Sequence, residues 1–391
     1  PDFADIPEET AKAAKFMIIS YPANPVCSVA DDSFYEKAIA FAKKYNPDFH
    51  VCYNKGHVGY LDKPVIKDYS YFSFESLPGV EWGYLDFPVS AKYMRNFGKE
   101  CLGLTSRFHT EWGDFHAFRN EAAMEYEVFS MLSHGCKCTI GDQMDYWGKL
   151  NKDMYQQIGR VYKSVEEKEP WCENAKPVSE IGVFTAEEFY ATGVAGQIPG
   201  ASEGVARLLM EYGYQFDFID STSDFGKYRL LILPDVIPVD EILGRKLSAY
   251  INAGGKLLAS YQSGLDKDHQ KFMISELAVK YLGDAPYSPD FIWPKEHLAK
   301  GLADAEHVMY DKGTLVEATD EAQFVQKVIP PVFNRTYEHF CSHLHSPSGR
   351  KEVYPGIVET ENTAYFIHPI FTTYQNWAPA WYKKILRNEL D

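Results

Sequence analysis

The chain has 391 residues, which exceeds one ordinary hydrophobic core and predicts at least two domains of roughly 100 to 200 residues each. Its net charge of −16 argues against a nucleic-acid partner, because phosphate binding needs clustered Lys and Arg. No segment approaches the ~18 consecutive apolar residues of a membrane span. The composition therefore predicts a soluble globular protein that binds neither nucleic acid nor a membrane.

Cysteine usage and the N-terminal sequence bear on the compartment. The seven cysteines are scattered, and an odd number cannot all pair within one chain: Cys27, Cys52, Cys101, Cys136, Cys138, Cys172 and Cys341. A reducing compartment is the simplest interpretation, so we expect a cytoplasmic protein. Residues 1–10 are acidic and precede no signal-peptide core. Because the sequence opens on Pro1 and resembles the interior of a domain, we expect a processed or truncated piece.

The first part of the chain alternates helical and extended patterns. Apolar spacing predicts helices at 32–44, 87–97 and 120–132, and strands at 49–53, 69–74, 101–105 and 136–140. Asn120 is a predicted N-cap, and Gly135 is predicted to end the third helix. Helix-strand steps of about 30 residues indicate a parallel sheet, in either a barrel or a doubly wound fold.

The second part alternates in the same way after a linker. A helix over 151–169 is predicted to complete the first domain at 1–168, residues 169–178 form the linker, and the second domain covers 179–391. Strands are predicted at 181–184, 216–219, 230–233 and 256–260, with helices at 203–212 and 241–251. This order is typical of a flavodoxin-like or class I amidotransferase-like sheet.

The amidotransferase fold would suggest glutamine hydrolysis, which the residues do not support. That reaction needs a nucleophilic Cys on a sharp strand-to-helix turn, and the corresponding segment 260–266 contains none. The first strand of this domain is followed by neither a Walker-type loop nor GxGxxG, so nucleotide binding has little support. We therefore expect a structural or oligomerising role for the second domain.

Polar residues follow the predicted strands of the first part. In a (β/α)₈ barrel the active site is built from the loops after the strands. The candidates at these positions are Glu75, Ser76, Arg107, His109, Trp112, Asp114, Asp142 and Gln143. Glycosidic cleavage needs two carboxyl groups, for which Glu75, Asp114 and Asp142 are candidates. The same acidic residues are also typical of helix caps and solvated loops, and His109 and Trp112 are equally consistent with packing.

Several longer motifs carry a resemblance to a known family. They are FESLPGVEWGYLDFP at 74–88, GLTSRFHTEWGDF at 103–115, IGDQ at 140–143, VEEKEPW at 165–171, FNRTYEHFCSHLHSP at 333–347 and YFIHPIF at 365–371. In this order they resemble the α-L-fucosidases of glycoside hydrolase family 151 and proteins with a β-galactosidase trimerisation domain, which are related to the family 42 β-galactosidases.

The resemblance implies an α/β protein: the second half of a (β/α)₈ barrel followed by a flavodoxin-like trimerisation domain. It implies a retaining exo-glycosidase of the α-L-fucosidase type, with β-galactosidase as the alternative. The four predicted strands would be the fifth to eighth, so the first four, and the nucleophilic Asp after the fourth, would precede Pro1. Glu75 would then be the acid/base or a substrate-orienting carboxylate, with Asp114 as the second catalytic candidate.

The remaining expectations concern binding. The substrate-binding candidates are Arg107, His109, Trp112, Trp82, Asp142, Gln143, His343 and His345. His339, Cys341, His343 and His345 alternate and would share one face of a strand, which permits a zinc site, but packing or a pocket between subunits is favoured, and no metal or cofactor is predicted. An oligosaccharide substrate is expected, with a homo-oligomer, such as a trimer, or another chain closing the barrel. The rival hypothesis is a non-catalytic carbohydrate-binding or assembly protein.

Overall fold

A computed structural model describes residues 2–19 and 30–391, and the elements below are those of the described residues. The α-helices are α1 (Glu8–Ala13), α2 (Asp32–Tyr45), α3 (Asp86–Met94), α4 (Glu121–Ser133), α5 (Lys152–Glu166), α6 (Glu169–Cys172), α7 (Glu187–Tyr190), α8 (Gly200–Glu211), α9 (Glu241–Asn252), α10 (Ile370–Trp377) and α11 (Ala380–Leu390). The strands are β1 (Phe72–Glu75), β2 (Cys101–Ser106), β3 (Lys137–Gly141), β4 (Ile181–Phe184), β5 (Phe216–Ile219), β6 (Leu230–Leu233), β7 (Lys256–Ser260), β8 (Val279–Asp284), β9 (Asp290–Ile292), β10 (His307–Met309), β11 (Thr314–Ala318), β12 (Phe324–Ile329), β13 (Pro355–Glu359) and β14 (Thr363–Phe366).

The first part of the chain forms part of a parallel barrel. Strands β1, β2 and β3 pair in sequence order, all parallel, as βα repeats require. Helix α4 packs over β2 and β3, and α5 packs against α4 through a small apolar cluster built around Met124, Val128, Met154 and Val161. Asn120 caps α4 through its side-chain oxygen, and Gly135 after the helix adopts φ +77°, so both predicted helix ends are confirmed.

The strand predicted at 49–53 is wrong, because this segment has no regular strand geometry. It nevertheless runs beside β1: Ser70 donates its backbone N–H to Val51 O at 2.8 Å, and Glu75 donates to Gly56 O at 3.0 Å. A single parallel bridge joins Lys55 to Phe74. The apolar run therefore lies where the fifth barrel strand was expected, but two hydrogen bonds and one bridge do not make a continuous ladder.

The second part is built on a nine-stranded sheet. Its parallel core has the spatial order β5-β4-β6-β7-β14, which in chain order is 2-1-3-4-5, the flavodoxin-like arrangement. Strands β4, β5 and β6 of this core are buried almost throughout, because helices cover both sides. The predicted flavodoxin-like class is confirmed. Beyond β14 the sheet continues antiparallel through β13, β12, β9 and β10, and β8 and β11 form a separate pair.

A buried polar seam joins the barrel part to edge strand β5. The seam consists of the contacts that Lys63, Tyr93 and Arg95 of the barrel part make to Asp217 and Asp220. Lys63 Nζ and Tyr93 Oη both donate to Asp220 Oδ2, at 2.6 and 2.7 Å, and Arg95 Nη2 lies 2.5 Å from Asp217 Oδ1. Burial acts to raise the pKa of Asp220, but these hydrogen bonds outweigh it and lower that pKa. Asp220 therefore remains ionised between two donors of the other part.

His57 forms a second buried contact between the two parts. Its Nε2 lies 2.6 Å from Glu187 Oε1, and its Nδ1 lies 2.9 Å from Ser90 Oγ and 3.8 Å from Asp86 Oδ1. Burial lowers the pKa of His57, but Asp86 and Glu187 more than offset it and raise the pKa to about 10. The imidazole is therefore positively charged at neutral pH between two carboxylates, one from each part.

We predict that His57 makes the protein less stable at alkaline pH. Its folded pKa of about 10 exceeds the ordinary value of about 6.5, so the stabilisation is complete below pH ~6.5 and is lost as the pH rises toward 10. The melting temperature of the protein should fall over that window, and a His57→Gln variant should be less stable at pH 6 and show a flatter profile.

The matched control is His116→Gln, which changes an exposed histidine. Its melting temperature should follow the unsubstituted protein from pH 6 to 10. Parallel pH profiles for His57→Gln and the unsubstituted protein would contradict a charged His57.

Candidate active site

Glu75 stands at the carboxyl end of β1, where a barrel presents its catalytic groups. Its backbone is fixed on both sides, pairing with Leu104 of β2 and donating to Gly56 O. The carboxylate is half-buried, and burial raises its pKa. Within the described residues it has neither an ion pair nor a hydrogen-bond partner. A half-buried carboxyl group of this kind is suited to holding a proton and transferring it.

Arg107 and Asp142, both predicted to bind substrate, bind each other. Arg107 Nε lies 2.5 Å from Asp142 Oδ1, and Nη1 donates to Phe115 O at 3.2 Å. The arginine side chain is 4% exposed and the aspartate 9%, so little of this pair is open to a ligand. The pair instead ties the loop after β2 to the end of β3. Direct recognition of a sugar by Arg107 is thus disfavoured by its burial.

The loop after β2 presents the more accessible candidates. Trp112 is 50% exposed, and its indole N–H donates to Gln143 Oε1 at 3.0 Å. The ring lies over Gly141, where a Cβ would come within 2.9 Å of it, so a larger residue at 141 would displace the tryptophan. Asp114 is half-buried and accepts from Thr110 Oγ1 at 2.9 Å, and His109 is exposed. The loops after β2 and β3 therefore meet at Trp112.

The loop after β1 also reaches this surface. A Cβ on Gly79 would lie 3.0 Å from the carbonyl oxygen of His109, so the two loops touch. Trp82, at the end of the same loop, is half-buried. It packs instead between Gly56 of the barrel part and Gly196 of the second part. Its indole thus bridges the barrel part and the second part, which is a packing role.

His343 and His345 lie far from the other candidates within one chain. His345 packs against Phe291 of β9, with ring centroids 5.5 Å apart, and His343 is exposed. Strand β9 is separated from β5, which adjoins the barrel part, by seven strand spacings of about 4.8 Å each. The 333–347 segment contains bends rather than a strand, so the expectation that His339, Cys341, His343 and His345 share one strand face is wrong.

One buried network behind the strand ends was not predicted. Arg119 pairs with Glu127 and donates to Thr105 Oγ1 at 3.2 Å and to Ser106 O at 2.9 Å; Thr105 also donates to Glu127. Burial raises the pKa of Glu127 despite the arginine. Its sequence signal is Glu127 itself, because a charged residue on the apolar face of a predicted helix needs a buried partner. The network fixes the end of β2 from inside.

The structure bears on the expectations about disulfides and about membrane spans. Six cysteines are free of disulfides, while Cys27 lies outside the described residues. None of the described helices is long and apolar enough to cross a membrane.

We predict that Arg107 supports the fold rather than the substrate. Because Arg107→Met leaves Asp142 buried without its cation, it should lower the free energy of unfolding by about 3 to 5 kcal/mol. Arg160→Met, at an exposed ion pair with Glu121, should cost about 0 to 1 kcal/mol. Urea unfolding measures both. A loss of sugar binding by Arg107→Met with unchanged stability would contradict the structural role.

Comparison with known proteins supports the resemblance. Residues 207–281 match the β-galactosidase trimerisation domain. The solved structure of α-L-fucosidase isoenzyme 2 from Paenibacillus thiaminolyticus is 34% identical and superimposes with a TM-score of 0.85, covering 90% of this chain and 54% of that enzyme. β-Galactosidase GanA from Bacillus subtilis is 21% identical over 253 residues, which cover 59% of this chain and 37% of GanA. The chain thus spans about half the length, or less, of these relatives.

A different similarity covers a short stretch. LL-diaminopimelate aminotransferase from Syntrophobacter fumaroxidans is 39% identical over 79 residues, 20% of this chain and 19% of that enzyme. This shows a shared segment and no more. The resemblance to the fucosidase covers 90% of this chain, and with the trimerisation domain it confirms the predicted relationship to the fucosidase and β-galactosidase group.

Proposed function

We propose that this chain, which is related to the α-L-fucosidases and the family 42 β-galactosidases and carries a β-galactosidase trimerisation domain, belongs to a retaining exo-glycosidase of the α-L-fucosidase type. The observation that carries the proposal is Glu75: a half-buried carboxyl group with a raised pKa and no partner among the described residues, at the end of a barrel strand. The 34% identity to a fucosidase favours fucose over galactose.

In this proposal Glu75 is the general acid and base. A raised pKa favours the protonated form, which suits a group that protonates the departing glycosidic oxygen and then deprotonates the attacking water. Asp114 would orient the sugar through its hydroxyl groups. The nucleophilic carboxylate would come from the first half of the barrel, on a longer form of this protein or on another chain. The second domain would assemble copies of the protein into a homo-oligomer.

Trp112 is the proposed sugar platform. Its exposed ring is held in place by Gly141 beneath it and by the hydrogen bond to Gln143, so it can stack on the apolar face of a pyranose without reorganising. His109, on the same loop, would donate a hydrogen bond to a hydroxyl group. Aromatic stacking of this type tolerates different sugars, so it supports β-galactoside binding as well.

We predict that Glu75→Gln removes proton transfer selectively. On a fucosyl disaccharide, whose leaving group needs protonation, kcat/KM should fall about 10²- to 10⁴-fold. On p-nitrophenyl α-L-fucoside the loss in the first step should be much smaller, because p-nitrophenolate leaves without a proton. Hydrolysis of both substrates, and of p-nitrophenyl β-D-galactoside, by a form of the protein that includes the first half of the barrel measures the role and the sugar preference together.

The control is Glu111→Gln, an exposed carboxylate on the loop after β2. It should leave both activities unchanged. Equal losses on activated and unactivated substrates in Glu75→Gln would point to a structural role for Glu75. Sugar binding without turnover by the unsubstituted protein, with the first half of the barrel present, would favour the non-catalytic carbohydrate-binding alternative over the enzyme.

We also predict that Trp112→Ala weakens sugar binding. Loss of one stacking face should weaken the binding free energy for L-fucose by roughly 1 to 2 kcal/mol, which raises Kd about 5- to 30-fold. Trp147→Ala, which removes a tryptophan that is 77% exposed, is the control and should leave Kd unchanged. Calorimetric titration measures the difference, and equal affinities of both variants would remove Trp112 from the proposed site.

A further inference from the structure

A histidine and two glutamates meet on the second domain, away from the proposed sugar site. His297 lies in a short 3-10 helix (Glu296–Ala299), Glu359 ends β13 and Glu389 lies in the last turn of α11. His297 Nε2 is 3.2 Å from Glu359 Oε1 and 3.4 Å from Glu389 Oε2. One ligand atom from each of the three lies within 4.8 Å of the other two. The three side chains come from separate elements, as in a built ligand set.

The elements that carry these side chains are fixed against one another. Asn388 Nδ2 donates to Leu298 O and Lys300 O, both at 2.9 Å, which fastens the end of α11 to the segment that carries His297. The imidazole ring packs on Phe324 of β12, with centroids 5.3 Å apart. Glu359 pairs with β12 on one side and β14 on the other, inside the sheet. The three side chains therefore converge without a mobile loop.

The cluster carries more negative charge than its surroundings compensate. Within the described part of the chain neither glutamate forms an ion pair with Lys or Arg, and Glu359 Oε1 is buried without a hydrogen-bond partner. Burial and the neighbouring Glu359 raise the pKa of Glu389 to about 9, and burial raises that of Glu359. Two carboxyl groups this close need either a shared proton or a cation.

The distances favour a cation. A hydrogen bond between imidazolium and carboxylate is normally about 2.7 to 2.9 Å long, shorter than both distances observed here. Ligand atoms about 2.0 to 2.2 Å from a tetrahedral zinc ion lie about 3.3 to 3.6 Å from each other, which is close to the two distances of 3.2 and 3.4 Å. An imidazole ligand also favours Zn²⁺ over Mg²⁺ or Ca²⁺, which prefer oxygen.

We propose that His297, Glu359 and Glu389 bind one divalent transition-metal ion of the Zn²⁺ class. His297 is 41% exposed, so the remaining coordination position opens to solvent and is filled by water. Strand β13 lies five strand spacings, about 24 Å, from β5, so the ion joins α11 to the sheet and takes no part in the sugar site.

Zinc titration of the chelator-treated full chain tests the site. Isothermal titration at pH 7 should show one Zn²⁺ bound tightly per chain. Mg²⁺ at the same concentration should not bind. The melting temperature should rise with Zn²⁺, because the ion binds the folded chain.

Variants locate the ion. Glu389→Gln, which imitates the protonated carboxyl group and preserves packing, and His297→Gln should each weaken Zn²⁺ binding by roughly 100-fold or more. His343→Gln is the control for the other histidine-rich segment, and Glu241→Gln, an exposed carboxylate, is the control for a general charge effect; both should bind normally. Absence of binding, or unchanged affinity in both Glu389→Gln and His297→Gln, would overturn the proposal.

Discussion

The arrangement of the molecule depends on the buried polar seam between the barrel part and strand β5. Three parallel strands would leave helix α3 exposed on one side, but every residue of α3 is buried because β5 and α8 cover it. Lys92 shows how tightly: its Nζ donates to Phe216 O, and burial lowers its pKa to about 8. Charges buried at such a contact are tolerable only when each has a partner, and Asp217 and Asp220 supply those partners. The second domain therefore covers the α3 side of the barrel part and stabilises it.

Much of the fold followed from local pattern, and the failures have one cause. Strands β1 to β7 are short, mostly apolar runs at the positions that sequence periodicity predicted, whereas β14, the last parallel strand of the core, was not predicted. The run at 49–53 has the same composition but makes too few ladder contacts to become a strand. The antiparallel extension through β9, β12 and β13 was not predicted, because its pairs join residues that are distant in sequence and leave no local period. Composition indicates which segments can form a strand, and backbone hydrogen bonds to an adjacent strand decide which of them do.

The candidate site shows the same division. Sequence reasoning identified polar residues after the strands, and the structure brings Trp112 together with Gln143 and Arg107 together with Asp142. The sequence alone could not reveal that Arg107 is paired with Asp142, because both residues look equally free to bind a substrate in the linear chain. Glu75 differs because it ends up without a partner among the described residues. Where most charged groups of a strand end are paired, the unpaired and half-buried one carries the strongest functional indication.

Two acidic clusters of the second domain differ in the partners of their carboxylates. At the β5 edge, Asp217 and Asp220 form ion pairs with an Arg and a Lys of the barrel part at distances of 2.5 to 2.6 Å. Their negative charges are therefore neutralised within the chain. Around β13, Glu359 and Glu389 meet only one histidine, and the described chain offers no Lys or Arg to them. Had this cluster been a second structural seam, a basic side chain would be expected between the carboxylates, as Lys63 is at Asp220. Its absence from the described residues leaves a shared proton or a bound cation as the ways to balance the charge, and the ligand spacing favours the cation.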